Sequence, residues 1–125
     1  MKVMCCISPQ TKYPLLKKKY NSELIDLLSR EGFPVERLET CLEERDRLEM
    51  VREMFTLLDE DRPNLWLSRS WRPENGDWVI VVRSSGDLDK VIYRGKRNST
   101  DFWFEDEWGE ALMWKCQSFC FKNID

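Results

Sequence analysis

The chain has 125 residues, 42% hydrophobic and 34% charged, with a net charge of -3, five cysteines and no histidine. That length and balance suit one soluble globular domain with its own core, well away from disorder. The absence of histidine removes Ser-His-Asp and Cys-His hydrolysis in their usual forms, along with His-bearing zinc sites.

The first apolar run, Lys2 to Ile7, stops at Ser8-Pro9 and reads as a short buried strand. It is too brief for the core of a secretion signal or a membrane span, so the expected location is cytoplasmic. Five cysteines at irregular spacing agree with that compartment better than with a disulfide framework. They are expected as buried thiols on the first and last strands.

After a polar connection with Pro14 and Lys17-Lys18-Lys19, the stripe Leu24, Ile25, Leu27 and Leu28 predicts a helix from Asn21 or Ser22, closed at Gly32. Val35 to Glu39 admits two readings, a short strand or the start of a long helix at Pro34. Thr40-Cys41-Leu42-Glu43 has the pattern of a capping box and favours a helix beginning near Thr40. Leu48, Val51, Phe55 and Leu58 continue it at helical spacing until Asp59-Glu60-Asp61-Arg62-Pro63.

Past Pro63 the period changes. All six tryptophans, Trp66, Trp71, Trp78, Trp103, Trp108 and Trp114, lie in this half. Trp78 to Val82 is the strongest strand signal, and Ser84-Ser85-Gly86-Asp87 turns it back into Lys90 to Arg94, a hairpin over residues 77 to 94. Phe102 to Phe104 and Leu112 to Cys120 supply one or two further strands. The expected fold class is α+β: an N-terminal strand and two helices packed on a mainly antiparallel sheet formed by the C-terminal half. One domain, 1-125, then combines a mostly helical portion, 1-63, with a β-rich, Trp-rich portion, 64-125.

Trp66-Leu67-Ser68, Arg72-Pro73-Glu74-Asn75-Gly76, Val79-Ile80-Val81, Val91-Ile92-Tyr93, Phe102-Trp103 and Trp114 follow an order that resembles a small phage- and prophage-associated domain of unknown function. The resemblance spans residues 66-114, and departs at Arg72, where that family has Leu, and after Trp114, where Lys115-Cys116 replaces Met-Pro. It implies a phage-linked accessory protein and transfers no active-site residue.

Candidate chemistry is sparse. Cys5, Cys6, Cys116 and Cys120 would have to converge to hold a metal, and their spacing is not that of a zinc ribbon. The thioredoxin-like order of strand then helix lacks a Cys-x-x-Cys at the helix start. Asp59-Glu60-Asp61 and Glu105-Asp106-Glu107 lack the spacing of a calcium loop and read as solvated loops. No metal or other cofactor is expected, and the chain is read as a non-enzyme.

Trp78, Ile80 and Val82 share a strand face, as do Phe119 and Phe121, and are expected in the core. Trp71, Trp103 and Trp108, next to turns and charges, are expected to be partly exposed; with Glu105, Asp106 and Glu107 they form the candidate surface of a protein-binding module. Lys17, Lys18 and Lys19 with Arg94, Lys96 and Arg97 form the alternative, a nucleic-acid surface, which the acidic balance of the chain disfavours.

Overall fold

The structure, a computed structural model, describes residues 1–7, 21–41, 43–58, 73–98 and 101–123. The described elements are β1 (Lys2–Ile7), α1 (Asn21–Arg30), α2 (Val35–Thr40), α3 (Glu44–Leu58), β2 (Trp78–Arg83), β3 (Leu88–Lys96), β4 (Asp101–Glu105), β5 (Ala111–Lys115) and β6 (Ser118–Asn123). The strands form one sheet in the order β5-β4-β3-β2-β1-β6. Only β1 and β2 are parallel, and the other four pairings are antiparallel. The fold is α+β, and the sheet draws its central strand β1 from the N-terminus.

Helix α1 buries Leu24 and Leu28, four apart, and leaves Glu23, Ser22 and Asp26 outside. Its end is a paired closure. The Gly32 N–H donates to the Ser29 carbonyl and the Phe33 N–H to the Leu28 carbonyl, both at 3.1 Å, with Gly32 at φ +91°. This is the Schellman arrangement that glycine's freedom at positive φ permits.

Val35 to Glu39 is helical, which excludes the strand reading. Val35 and Leu38, three apart, are both buried, while Glu36 and Arg37 between them are exposed. The helix expected to begin at Thr40 begins instead at Glu44. Thr40 closes α2: its hydroxyl donates to the Arg37 carbonyl at 3.0 Å, so it serves a helix end where a capping box would serve a start. The described residues of the helical portion therefore form three helices, where two were expected. On α3 the fully buried residues are Met50, Val51 and Met54, with Leu48 and Phe55 half-buried at the flanks.

Strands β1 and β2 are buried on both faces. Val3, Cys5, Ile80, Val82 and Leu88 face the helices and join Leu28, Leu38, Val51 and Met54 in one core. Met4, Cys6, Val79, Val81 and Val91 face the other way, into a second core with Tyr93, Phe102, Phe104, Trp114, Phe119 and Phe121. The alternation follows from the two-residue period of the strand.

Among the described residues no helix covers this second core; the sheet covers it by folding over. β5 and β6 sit at opposite ends of the strand order, about 24 Å apart if the sheet were flat. Yet only Cys116 and Gln117 join them, a link that reaches ~11 Å at most. The fold-over falls on the nine-residue β3, whose register with β4 shifts between Tyr93 and Gly95, with Gly95 at φ +128°. A bulge with a glycine at positive φ bends a strand sharply. Phe102 of β4 then meets Phe119 of β6 edge-on at a 4.7 Å ring separation, beside Phe104 and Trp114, diagonal neighbours on the β4–β5 pair whose rings are also 4.7 Å apart.

The closure is stapled. Cys6 of β1 and Cys116 are joined as a disulfide, with Cα atoms 5.5 Å apart and a sequence separation of 110. This corrects the expectation that all cysteines are thiols: the fold-over brings together two positions that the sequence keeps far apart. Removing the bond with Cys116→Ala is expected to lower unfolding stability by about 2–5 kcal/mol, because so long a loop restricts the unfolded chain strongly. Urea titration of the variant against the oxidised protein checks this.

Candidate functional site

The hairpin of β4 and β5 carries the aromatic and acidic side chains singled out from the sequence. Asp106 to Gly109 form its turn, closed by the Asp106 N–H donating to the Glu110 carbonyl at 3.0 Å. The Asp106 carboxylate is buried, and its Oδ1 accepts from the Trp108 N–H at 2.9 Å and the Glu110 N–H at 2.8 Å. Asp106 thus holds the turn from within, and its role at a contact surface is to fix the turn that displays Trp108. Trp108 is 49% exposed, among the most exposed large apolar side chains of the described residues.

Along β4, pleat sorts the remaining candidates. Phe102 and Phe104 point into the aromatic core, and Asp101, Trp103 and Glu105 point outward. Trp103 is half-buried on that outer face, opposite Met113 of β5, with the Arg97 guanidinium 4.7 Å above its ring centre. Glu105 accepts from Arg94 at 2.7 Å, and Arg94 also donates to the Asn75 side chain at 3.3 Å. Glu107 is half-buried and Glu110 exposed. The outcome is a rigid turn with an indole at its tip, carboxylates beside it and a second indole lower on the same hairpin.

Among the described residues of the alternative surface, each cation already faces a carboxylate or an aromatic ring. Arg94 is engaged by Glu105, Arg97 lies on Trp103, and Lys96 places its Nζ over Phe119 at 4.7 Å and Phe102 at 5.2 Å. Trp71, Lys17, Lys18 and Lys19 lie outside the described residues, as do Trp66 and the cluster Asp59-Glu60-Asp61.

Trp78 was expected in the core and is 39% exposed. Its strand parity is as predicted, since Ile80 and Val82 are buried on the same face. Trp78, however, opens the strand, at the margin of the helical cover. Lys90 places its Nζ 5.2 Å from the Trp78 ring centre, and Met1, Lys2, Asp77 and Trp78 line an open cleft of about 380 Å³. Lys2 and Asp77 approach to 3.7 Å in it.

A second polar constellation escaped the sequence reading. Arg83 and Asp89, at the two ends of the β2–β3 turn, both fall on the aromatic side of the sheet and are almost wholly buried. Arg83 Nη2 lies 3.0 Å from the Asp89 carboxylate and 3.4 Å from that of Asp87, and the guanidinium sits 4.6 Å above the centre of the Trp114 ring. Arg83 is also the register partner of Cys6, so the ion pair adjoins the disulfide. Arg83 Nε and Trp114 Nε1 are buried without a hydrogen-bond partner. Attraction between the cation and the face of the indole offsets part of that cost. The cue in the sequence is strand parity, which sets Arg83 on the face of Val79 and Val81, and Asp89 on that of Val91 and Tyr93.

Burial pushes the Asp89 carboxyl up to about 6, outweighing the pull of Arg83 in the opposite direction; Asp87 adds to the rise. The folded state therefore holds this proton more tightly than the unfolded chain does. It follows that Asp89 favours folding most below pH 4, and that this contribution is lost as pH rises through 6. Asp89→Asn is expected to flatten the pH dependence of stability between about pH 4 and pH 6, checked by denaturation at a series of pH values.

Four cysteines do converge on β1 and its neighbours, but not on one point. Cys5 faces the helical core and Cys6 the aromatic core, on opposite sides of the sheet, and Cys120 is the register partner of Cys5. The pleat divides them into two pairs of positions, which cannot share a tetrahedral ion. Among the described residues, no group of three or more acidic or sulfur ligands is placed to hold a metal, and no helix is long and apolar enough to cross a membrane. Comparison with protein-family models, curated proteins and solved structures finds no match for this chain.

Proposed function

We propose that the chain is a non-catalytic protein-binding module that grips its partner with the β4–β5 hairpin. The observation that carries this reading is Trp108, an indole about half exposed on a turn whose backbone is held by a buried carboxylate. An aromatic anchor on a rigid turn loses little conformational freedom on binding, the property that interface hot spots share. Glu107 and Glu110 flank it in the turn with negative charge, and Glu105 on the same hairpin is paired with Arg94, so the complementary partner surface is apolar at its centre and basic at its rim. Trp103 and Trp71 extend the same reading.

The likeness of residues 66-114 to a phage-associated domain supports a more specific form of the proposal, an accessory or inhibitory factor of a mobile element that acts on a host protein. A cytoplasmic site of action belongs to that form. It is compatible with the disulfide because Cys6 and Cys116 are both fully buried, out of reach of the thiolates that reduce exposed disulfides. Nucleic-acid binding through Lys17-Lys19 and Arg94-Arg97 has less in its favour, since Arg94 is neutralised by Glu105 and Lys96 lies over aromatic rings.

Trp108→Ala is expected to weaken partner binding by at least about tenfold, the usual cost of removing an aromatic anchor, while leaving the melting temperature nearly unchanged because half of the ring is in solvent. Quantitative affinity capture from cells of the source organism, with wild type and variant side by side, provides the measurement. Partners retained equally by both proteins would remove the turn from consideration.

A further inference from the structure

We propose that a second copy of this chain adds to the free edge of β5, joining two sheets through an antiparallel, two-fold symmetric strand pair centred on Met113.

β5 ends the strand order, and β4 occupies only one of its edges. The turn bond from the Asp106 N–H to the Glu110 carbonyl makes those two residues a hydrogen-bonded pair. Antiparallel alternation then makes Phe104 with Leu112, and Phe102 with Trp114, the next such pairs. Asp101, whose carbonyl accepts from the Arg97 N–H on the β3 side, obeys the same alternation. The N–H and C=O groups of Ala111 and Met113 consequently point to the open edge, as does the Lys115 N–H, while the Lys115 carbonyl lies 3.9 Å from Cys6 Sγ, where the chain leaves the strand. A strand of five residues without proline or bulge, guarded by one lysine, is a template for pairing.

The side chains of the same three residues lie on the outer face, which the helices do not reach; their core extends across the sheet only as far as Leu88 of β3. Ala111 and Lys115 are exposed and Met113 is half-buried.

This edge is complementary to itself. With the two-fold axis at Met113, the Met113 residues of the two copies exchange both backbone bonds, and the Lys115 N–H of each donates to the Ala111 carbonyl of the other. On the outer face Met113 is the cross-strand neighbour of Trp103, so Trp103, Met113 and their counterparts form one apolar row through the axis. Lys115 neighbours Asp101 on its own sheet, and Ala111 neighbours Glu105. Pairing places each Lys115 across the small Ala111 of the other copy, between its own Asp101 and the other copy's Glu105. Parallel pairing would instead set Lys115 against Lys115. So short a contact falls at the low end of interface sizes, and a dissociation constant on the order of micromolar is expected.

The inference stands apart from the role of Trp108, which lies in the turn beyond the paired strand. Sedimentation of the full chain, from micromolar to submillimolar concentration, should show a reversible monomer–dimer equilibrium. Because Met113 meets its own copy, Met113→Glu and Met113→Lys should each be monomeric alone, through like charges on the axis, and form a 1:1 heterodimer when mixed. Circular dichroism verifies that both variants fold. Should either fail to fold, Lys115→Glu, at an exposed side chain, should weaken the wild-type dimer at least tenfold. A wild type that stays monomeric throughout, with or without an unlike protein bound at β5, overturns the proposal. So does a dimer that survives both Met113 charges, or a mixture of well-folded variants that does not recombine.

Discussion

The two-residue link between β5 and β6 is the constraint on which the rest of the structure depends. Strands at opposite ends of a six-stranded order cannot be joined by Cys116 and Gln117 unless the sheet turns back on itself. Everything on the aromatic side follows from that turn. The bulge at Gly95 supplies the bend, the rings of Phe102, Phe104, Trp114, Phe119 and Phe121 fill the space enclosed, and the Cys6–Cys116 disulfide joins the two layers where they meet. The helices play no part in this layer. They cover the opposite face, so the protein has two cores separated by one sheet.

The fold-over also explains the charge pair within an apolar interior. Arg83 lies near the turn of its hairpin, where an arginine would ordinarily reach solvent. Folding the second layer over it brings Trp114 onto the guanidinium and leaves Asp89 and Asp87 as its counter-charges. Burying a cation and a carboxylate costs several kcal/mol in desolvation, and the strongly raised proton affinity of Asp89 reflects that cost. Replacement of one partner alone would strand the other.

Closure has an opposite effect on the outer face of β3, β4 and β5. That surface turns away from the helices, which leaves Trp103 and Met113 only half covered and Trp108 at the tip of its hairpin. One geometric event thus creates a sealed aromatic core and an apolar surface on the two sides of the same strands. The proposals for partner binding and for self-pairing both draw on that surface.

Local elements were legible because their causes are local. The α1 stripe with its glycine stop, the β2–β3 hairpin and the α+β class all rest on side-chain periodicity and turn chemistry within a few residues, whereas Asp106, read as part of a solvated loop, is buried because its carboxylate accepts the backbone bonds of its own turn. Thr40 shows the limit of that logic: a threonine followed three residues later by glutamate is the same string whether the hydroxyl starts a helix or, as here, ends one, and the burial of Val35 and Leu38 decides. Trp78 shows another, since strand parity gives the face of a side chain but not how far the helices extend over it. Beyond such a window the sequence determined which residues alternate and where the chain turns, and nothing more. The meeting of Cys6 with Cys116, the stacking of Arg83 on Trp114 and the free edge of β5 were decided by tertiary structure alone, because each depends on where a sheet bends, and that is set by contacts between residues far apart in the chain.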